Sequence, residues 1–331
     1  LGDRITYYKE TGLSLKNTPA KYKKEYEWLK EVDSLALANA QLHLDVAYKN
    51  FFRDKKVGFP KFKSKKHSSN SYTTNMVNNN IKLIGNKIYL PKLKGIRIKK
   101  HREIPENYKI KSVTVSKTST NKYYVSILCE YEADVLENVG TNYLGLDYAM
   151  NGLYVASDNS RGDYPRFYRQ LEKKLHREQR KLSKMMKGSN NYRKQKYKVA
   201  KVHEKIANSR NDYLHKTSHQ IANEVDGVCV EDLNMQSMSK SMHFGKSVND
   251  NGYGLFLNML SYKLERQGKK LIRIDKFYPS SKTCSCCGYI HKELKLSDRI
   301  YECPQCGMVL DRDYNASINI KREGMRLASI Y

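Results

Sequence analysis

Residues 143–147 read Tyr-Leu-Gly-Leu-Asp, and residues 227–231 read Gly-Val-Cys-Val-Glu. Each stretch is a short apolar run of the kind that forms a buried strand, and each ends in a carboxylate. A further strand-like run at residues 152–156 predicts a hairpin that places Asp147 in the middle of a sheet. Burying Glu231 is costly unless a cation or hydrogen bonds compensate its charge. The two strands therefore identify Asp147 and Glu231 as candidate metal ligands.

A third carboxylate, Asp313, lies in the segment 311–320, where an Asp precedes a helical pattern with apolar residues spaced for packing on a sheet. Taken alone, Asp147 could be a turn residue and Asp313 an N-cap. Together the three carboxylates supply hard oxygen donors for Mg²⁺ or Mn²⁺, and a two-metal site of this kind hydrolyses phosphodiesters. We interpret Asp232 as a loop residue that bonds to nearby backbone amides. Two strands and a helix separated by long helical insertions indicate an RNase H-like sheet.

Four cysteines near the C-terminus form two tight pairs with fifteen residues between the pairs. This spacing is typical of a four-cysteine zinc site, and the glycine after each pair lets the backbone turn tightly. Four thiolates fill the tetrahedral shell, so the predicted Zn²⁺ is structural rather than catalytic. The predicted ligands are Cys284, Cys287, Cys303 and Cys306, while Cys286, Cys129 and Cys229 are interpreted as spare thiols.

The charge balance points to a polyanionic partner. Lys and Arg total 61 against 34 Asp and Glu, a formal charge of +27. A membrane surface is the competing anion, but no apolar run approaches the roughly 20 residues of a spanning helix, and no signal peptide opens the chain. The 26 tyrosines include rings that can stack on unpaired bases, although Tyr is also an ordinary strand residue. We therefore predict a nucleic-acid-binding protein of the cytoplasm, in keeping with paired cysteines that bind metal.

An apolar stripe of Leu35, Ala38, Leu42 and Val46 predicts a helical unit over Lys21–Phe52, capped at Asp33 or Ser34. Apolar spacing also predicts a long helical hairpin over Arg166–Ile221. Between residues 166 and 201 the hairpin carries fourteen Lys or Arg and two acidic residues. A solvated helix face is the simpler interpretation, but such faces normally mix both signs. The excess of cations favours contact with phosphates.

Three β-like runs, Lys87–Leu93, Lys111–Ser119 and Lys122–Tyr131, are rich in Val, Ile or Tyr and predict a small antiparallel barrel or sandwich. The chain starts at Leu1, in what reads as the middle of a helical region. We interpret this start as N-terminally shortened.

These motifs, in this order, resemble the TnpB family of transposon-associated, RNA-guided DNA nucleases related to type V CRISPR effectors. The match extends upstream of the acidic segments, so that most of the chain is similar to the family. The segments that carry the resemblance are 58–66, 88–92, 145–147, 205–208, 230–234, 280–284 and 311–316.

The resemblance implies an α+β multidomain protein. Its expected parts are a helical recognition segment (1–57), a small wedge-like β-barrel (58–139) and an RNase H-like RuvC nuclease domain (140–331) with an inserted zinc ribbon (281–309). By resemblance, Asp147, Glu231 and Asp313 are the catalytic metal ligands, and Asp311 is the less favoured residue of its motif. The partners implied are a guide RNA derived from the transposon and a double-stranded DNA target beside a short motif, both strands of which are cut.

Two alternatives remain at this point. Some relatives have lost catalytic carboxylates and act as RNA-guided repressors, and a truncated homologue could bind DNA without cutting it. The second alternative is a transposase or junction resolvase with the same acidic centre, but we find no transposon-end-binding domain. The intact Asp147, Glu231 and Asp313 favour the nuclease over a repressor.

Overall fold

The computed structural model describes residues 1–15, 17–63, 70–135, 140–241, 245–295 and 297–329, which fall into two compact units, 1–133 and 134–331. Each unit has its own hydrophobic core. Part of the basic segment 58–66 lies outside the described residues. The division of the chain at residues 57 and 139 stays a prediction.

The first unit combines helices with two small antiparallel sheets of three strands, one in the order β1-β5-β6 and the other in the order β2-β3-β4. Short 3-10 turns flank its longer helix. The elements are α1 (Gly2–Thr11), α2 (Ser34–Arg53), β1 (Asn70–Asn75), β2 (Lys82–Ile84), β3 (Lys87–Leu90), β4 (Leu93–Arg97), β5 (Lys109–Lys117) and β6 (Tyr123–Glu130), with turns at Pro19–Lys23, Glu27–Lys30 and Lys55–Val57.

Helix α2 begins where the sequence places its cap, because the Asp33 carboxylate accepts a hydrogen bond from the Leu35 amide. The predicted helical stretch before it forms 3-10 turns instead. The apolar stripe does not pack as its spacing suggests, since Leu42 and Val46 are 54% and 52% exposed. Asn39 is the buried side chain, and its amide donates to the Thr73 carbonyl of β1.

The two sheets of the first unit share one core, formed by Ile81, Ile88, Leu90 and Val113 with flanking apolar residues. All three predicted β-like runs contain strands, and the first of them divides into β3 and β4. Within the described part of the unit, no strand pairing joins the two sheets. This arrangement fits the sandwich more closely than a closed barrel, and the wedge-like barrel stays a prediction.

The second unit is built on a four-stranded sheet in the order β10-β9-β7-β8, in which β7, β9 and β10 run parallel and β8 is antiparallel. The predicted hairpin is therefore present. The elements are β7 (Tyr143–Tyr148), β8 (Tyr154–Ala156), α3 (Phe167–Ser183), α4 (Asn190–Glu224), β9 (Gly227–Glu231), α5 (Met235–Ser241), α6 (Gly245–Asn251), α7 (Tyr253–Glu265), β10 (Lys270–Ile274), β11 (Ile300–Glu302), β12 (Val309–Asp311) and α8 (Arg312–Ala328).

The sheet of the second unit is covered on both faces. Alternate residues of β7 and β9, among them Leu146 and Val230, pack against α4 and α7 in the main core. The opposite face carries Gly145 and Cys229 and lies against α8, whose Ile320 is fully buried there. Burial on both faces explains why the central strands read as continuous apolar runs.

Helices α3 and α4 form the predicted hairpin, and they pack on each other through Leu175, Val202 and Ile206. Glu178, one of the two acidic residues in the cationic stretch, is buried and accepts a hydrogen bond from the Gln195 amide. Among the described residues, no helix combines the length and apolar character that crossing a membrane requires.

Gly145 allows α8 to approach the sheet, because a Cβ atom there would lie 2.2 Å from the Ser317 carbonyl oxygen. We expect Gly145→Ala to destabilise the second unit by about 3 kcal/mol, since backbone must move to admit the methyl group. Thermal unfolding should show a midpoint lower by roughly 6–12 °C. Gly254→Ala is the matched control, because its Cβ would meet no atom closer than 3.7 Å, and equal midpoints for the two variants would refute this account.

Candidate functional site

Asp147 and Glu231 stand at the carboxyl ends of two adjacent parallel strands. Leu146 pairs with Val230 in the register of these strands, so that Asp147 and Glu231, the next residues along, are neighbours. Because side chains alternate between the faces of a sheet, both carboxylates lie on the face that α8 covers, two residues beyond Gly145 in the case of Asp147. The carboxyl edge of a parallel sheet is where α/β proteins commonly bind ligands.

The first turn of α8 brings Asp313 toward the same edge. Asp311, not Asp313, is the N-cap, because its Oδ1 accepts hydrogen bonds from the Asp313 amide at 3.0 Å and the Tyr314 amide at 2.9 Å. The N-cap alternative for Asp313 is therefore wrong, and its carboxylate is available for other partners. It forms ion pairs with Arg312 at 3.2 Å and, more loosely, with Arg299 at 4.0 Å.

The three carboxylates repel one another electrostatically. Burial raises the pKa of Asp147 well above its usual range, and the charges of Glu231 and Asp313 raise it further, against an opposing effect of Arg312. Burial also raises the pKa of Glu231, while a hydrogen bond from Ser280 lowers it. A divalent cation would relieve this repulsion, and carboxylate oxygens are the donors that Mg²⁺ prefers. The residues present therefore fit a magnesium site.

The carboxylates do not form a compact ligand shell by themselves. In the part of the chain that the structure describes, only the cysteine cluster has three or more His, Cys, Asp or Glu ligand atoms within 4.8 Å of one another. The carboxylates meet at one edge of the sheet with a wider spacing. Asp232, beside Glu231, pairs with Arg273 at 3.3 Å rather than with the backbone amides that its sequence position suggested.

A buried polar network supports Glu231. The Ser280 hydroxyl donates a hydrogen bond to the Glu231 carboxylate. The Asn319 amide of α8 donates to the Ser280 and Thr283 carbonyls at 2.9 and 2.6 Å, and Asn315 donates to the Thr283 carbonyl at 2.8 Å. The network joins α8, the loop before the first cysteine pair and one candidate ligand.

Reasoning from the sequence did not assign roles to Ser280, Asn315 or Asn319, although they lie in the segments 280–284 and 311–320. One signal was available. Asn315 and Asn319 are four residues apart and thus share a helix face with Ala316 and Ile320, which the packing pattern places inside. Two amides on a buried helix face require partners, and here these are loop carbonyls.

The four predicted zinc ligands come together. Their sulfur atoms all lie within 4.8 Å of one another, with Cys284 and Cys306 at 3.6 Å and Cys287 and Cys303 at 3.6 Å. The glycines that follow the two pairs adopt φ of +80° and +71°, as a tight turn requires. Four sulfur donors at these distances suit a tetrahedral metal site. Cys286, Cys129 and Cys229 lie outside the cluster.

The outer face of α3 is strongly cationic. Its basic side chains line an open surface groove, and Glu178 between them turns inward to Gln195. The residues that line the groove are Lys173, His176, Arg177, Arg180, Lys181 and Lys184. Glu178 also pairs with Arg177 at 3.4 Å and Lys181 at 4.0 Å, but cations remain in excess on this face, which suits phosphate contact.

Two family models match the sequence. Residues 126–242 match the OrfB_IS605 family, described as "Probable transposase", and residues 253–320 match the TNB domain of Cas12f1-like proteins. The first range contains Asp147 and Glu231, and the second contains Asp313 and the cysteine cluster. The two matches therefore cover all the candidate site residues.

Two curated relatives are similar to this chain along most of their length. A Streptomyces pristinaespiralis protein named "Putative RNA-guided DNA endonuclease" is 34% identical over 311 residues, which cover 93% of this chain and 76% of the relative. InsQ of Escherichia coli K12, named likewise, is 33% identical over 315 residues, which cover 91% and 77%. The fold is similar to that in the cryo-EM structure of a Cas12f1-sgRNA-target DNA complex, with a TM-score of 0.56, 16% identity and coverage of 96% and 78%.

Proposed function

The chain belongs to the TnpB family of RNA-guided DNA endonucleases, and we propose that it hydrolyses phosphodiester bonds of a DNA target selected by a guide RNA. The observation that carries the proposal is the meeting of Asp147, Glu231 and Asp313 at one sheet edge. In this proposal all three are catalytic metal ligands. The partners are a transposon-derived guide RNA and double-stranded DNA, and the setting is a prokaryotic cytoplasm.

The proposed chemistry is that of a two-metal RuvC-type site. Bound Mg²⁺ or Mn²⁺ would supply an activated water and stabilise the leaving oxygen. The protein's own residues would hold and orient these cations. Asp147 and Glu231 offer oxygens from strands, and Asp313 offers one from the first turn of α8. Arg312 pairs with Oδ1 of Asp313 at 3.2 Å, whereas the nearest partner of Oδ2 is Arg299 at 4.0 Å, so Oδ2 is the oxygen that would bind a cation.

The remaining parts have supporting roles in the proposal. Structural Zn²⁺ is held by Cys284, Cys287, Cys303 and Cys306 and stabilises a ribbon at residues 281–309. Residues 1–57 serve as a recognition segment, and residues 58–139 serve as a wedge-like barrel. The cationic face of α3 contacts phosphates of a bound nucleic acid, in keeping with a net charge of +27.

The proposal is tested by purifying the protein from cells that carry its native locus and sequencing the RNA that accompanies it. We expect one structured RNA that ends in variable guide sequence. The complex should then cut a duplex matched to that guide in Mg²⁺ and leave a mismatched duplex intact. Random RNA fragments, or binding to the matched duplex without cleavage, would contradict the proposal and favour the non-cutting alternative.

Ser280 should set the affinity of the nuclease centre for its metal. We expect Ser280→Ala to raise the Mg²⁺ concentration for half-maximal cleavage by roughly tenfold, because residues that orient a metal ligand contribute at this scale. Ser280→Thr, which keeps the hydroxyl, should restore much of the loss, and Ser281→Ala is the matched control next door. An unchanged Mg²⁺ requirement in Ser280→Ala would exclude this role.

A further inference from the structure

Phe277 is unusually exposed for an aromatic side chain. It lies in the loop that follows β10, and its side chain is 80% exposed, whereas the adjacent Tyr278 packs with Cys229 and Ile320 in the core under α8. Tyr278 thus performs the packing role of this loop. Phe277 is not part of this core, so its ring is accessible to a partner.

The backbone around Phe277 is held in a defined turn. The Asp275 carboxylate accepts a hydrogen bond from the Phe277 amide at 2.7 Å, and the Asp275 carbonyl accepts one from the Tyr278 amide at 3.1 Å. A further bond joins the Ser280 amide to the Tyr278 carbonyl at 2.8 Å. The ring is therefore presented on a preorganised loop, which lowers the entropic cost of binding a partner.

The loop starts at the edge of the sheet where the three carboxylates meet. Ile274, the last residue of β10, pairs with Glu231 in the parallel register. Three residues beyond Phe277, the Ser280 hydroxyl donates to the same Glu231. The Phe277 turn therefore lies between two direct contacts with a candidate ligand, and belongs to the rim of the nuclease centre.

The surroundings of the ring are charged rather than apolar. The Lys276 ammonium lies 4.7 Å from the Phe277 ring centroid, and Asp275 and Lys276 are both exposed. A protein partner would be expected to need a wider apolar patch. A ring beside a cation is the pairing that proteins use for single-stranded nucleic acid, where the ring stacks on a base and the cation meets the phosphate.

We propose that Phe277 stacks on an unpaired nucleobase of the single strand that lies across the carboxylate centre, with Lys276 contacting its backbone. The inference rests on the proposed nuclease function. It adds a substrate contact that holds the strand beside the cleavage site without reading its sequence, because every base offers a π-face.

Binding is measured by fluorescence anisotropy on the full chain in Ca²⁺, which avoids dependence on cleavage. The probes are a labelled oligothymidylate and an abasic strand of equal length, which has the same phosphates but no bases. The wild type should prefer the oligothymidylate. Phe277→Ala should reduce that preference by roughly tenfold with little change on the abasic strand, and Phe277→Trp should retain it. Met186→Ala removes another highly exposed apolar side chain, 77% exposed, and serves as the control.

The outcomes separate this inference from the proposed function. An unchanged preference in Phe277→Ala would overturn the inference. An equal loss of affinity for both probes would also overturn it, because either result would mean that Phe277 does not contact a base. A wild type that cuts guided targets while Phe277→Ala keeps its base preference would leave the nuclease intact and refute only the stacking contact.

Discussion

Asp147→Asn is expected to reduce guided cleavage of matched DNA on the order of a thousandfold or more, while affinity for the guide RNA and the target stays within a few-fold. The substitution keeps the shape of the side chain but removes an anionic donor from the site that would hold two cations. Cleavage is followed in Mg²⁺ with protein bound to its RNA, and binding is followed separately in Ca²⁺.

Asp232→Ala is the matched control for Asp147→Asn, because Asp232 lies next to Glu231 in the chain but pairs with Arg273 at the surface. It should cut nearly as well as the wild type. Equal activities for wild type and Asp147→Asn would remove Asp147 from the catalytic centre, and loss of RNA binding in the variant would point to misfolding instead.

Thermal unfolding without divalent cations checks the fold of Asp147→Asn. The pKa of Asp147 is raised in the folded protein, so the folded state binds more protons than the unfolded state between the two pKa values. Stability from this group is therefore lost as pH rises through that interval. At neutral pH the metal-free variant should be at least as stable as the wild type, whereas Mg²⁺ should stabilise the wild type more.

Cys303→Ser is expected to abolish zinc binding and unfold the ribbon. Structural zinc contributes on the order of 10 kcal/mol to the folding of small modules, and a closed four-thiolate shell has no spare ligand. We expect zinc content to fall from one equivalent per chain to near zero. Hydrogen exchange should accelerate in β11 and β12, while the core packed on β7 and β9 remains protected.

Cys286→Ser offers a close control, because Cys286 lies between two members of the cluster yet stands outside it and is exposed. It should keep a full equivalent of zinc and normal exchange. Retention of zinc by Cys303→Ser, or its loss from Cys286→Ser, would mean that the four ligands are wrongly chosen. Guided cleavage should also fall in Cys303→Ser, since Thr283 and Ser285 hold the loop against α8.

Local pattern was sufficient for the central strands and the helical hairpin of the second unit. Runs such as residues 143–147 and 227–231 are short and apolar up to their final carboxylate, a pattern that suits a strand buried on both faces. The cysteine cluster could also be predicted from the sequence, because the two ligands of each pair lie close together in the chain. These features depend on residues that are close together in the chain, and a single sequence contains that information.

The remainder depended on tertiary contacts. In the motif at residues 311–313, either Asp could cap α8, and only the structure shows that Asp311 does so and frees Asp313. The exposure of Leu42 and Val46 could not be read from a helical stripe, because periodicity gives a face and not its partner. Ser280 likewise gains its role only when the loop after β10 meets Glu231.

Helix α8 has a consequence for how this protein can diverge. Successive turns of one helix carry Asp313, the two amides that hold the cysteine loop, and Gly324, whose absent side chain leaves room for Cys229. A replacement on the side of α8 that faces the protein disturbs the ribbon, the sheet or the acidic centre directly. Because the three share this helix, the other two are disturbed as well. The ribbon is therefore not an interchangeable module: it and the nuclease sheet must accumulate mutations in step, and tolerated variation in α8 should be confined to the side that faces solvent.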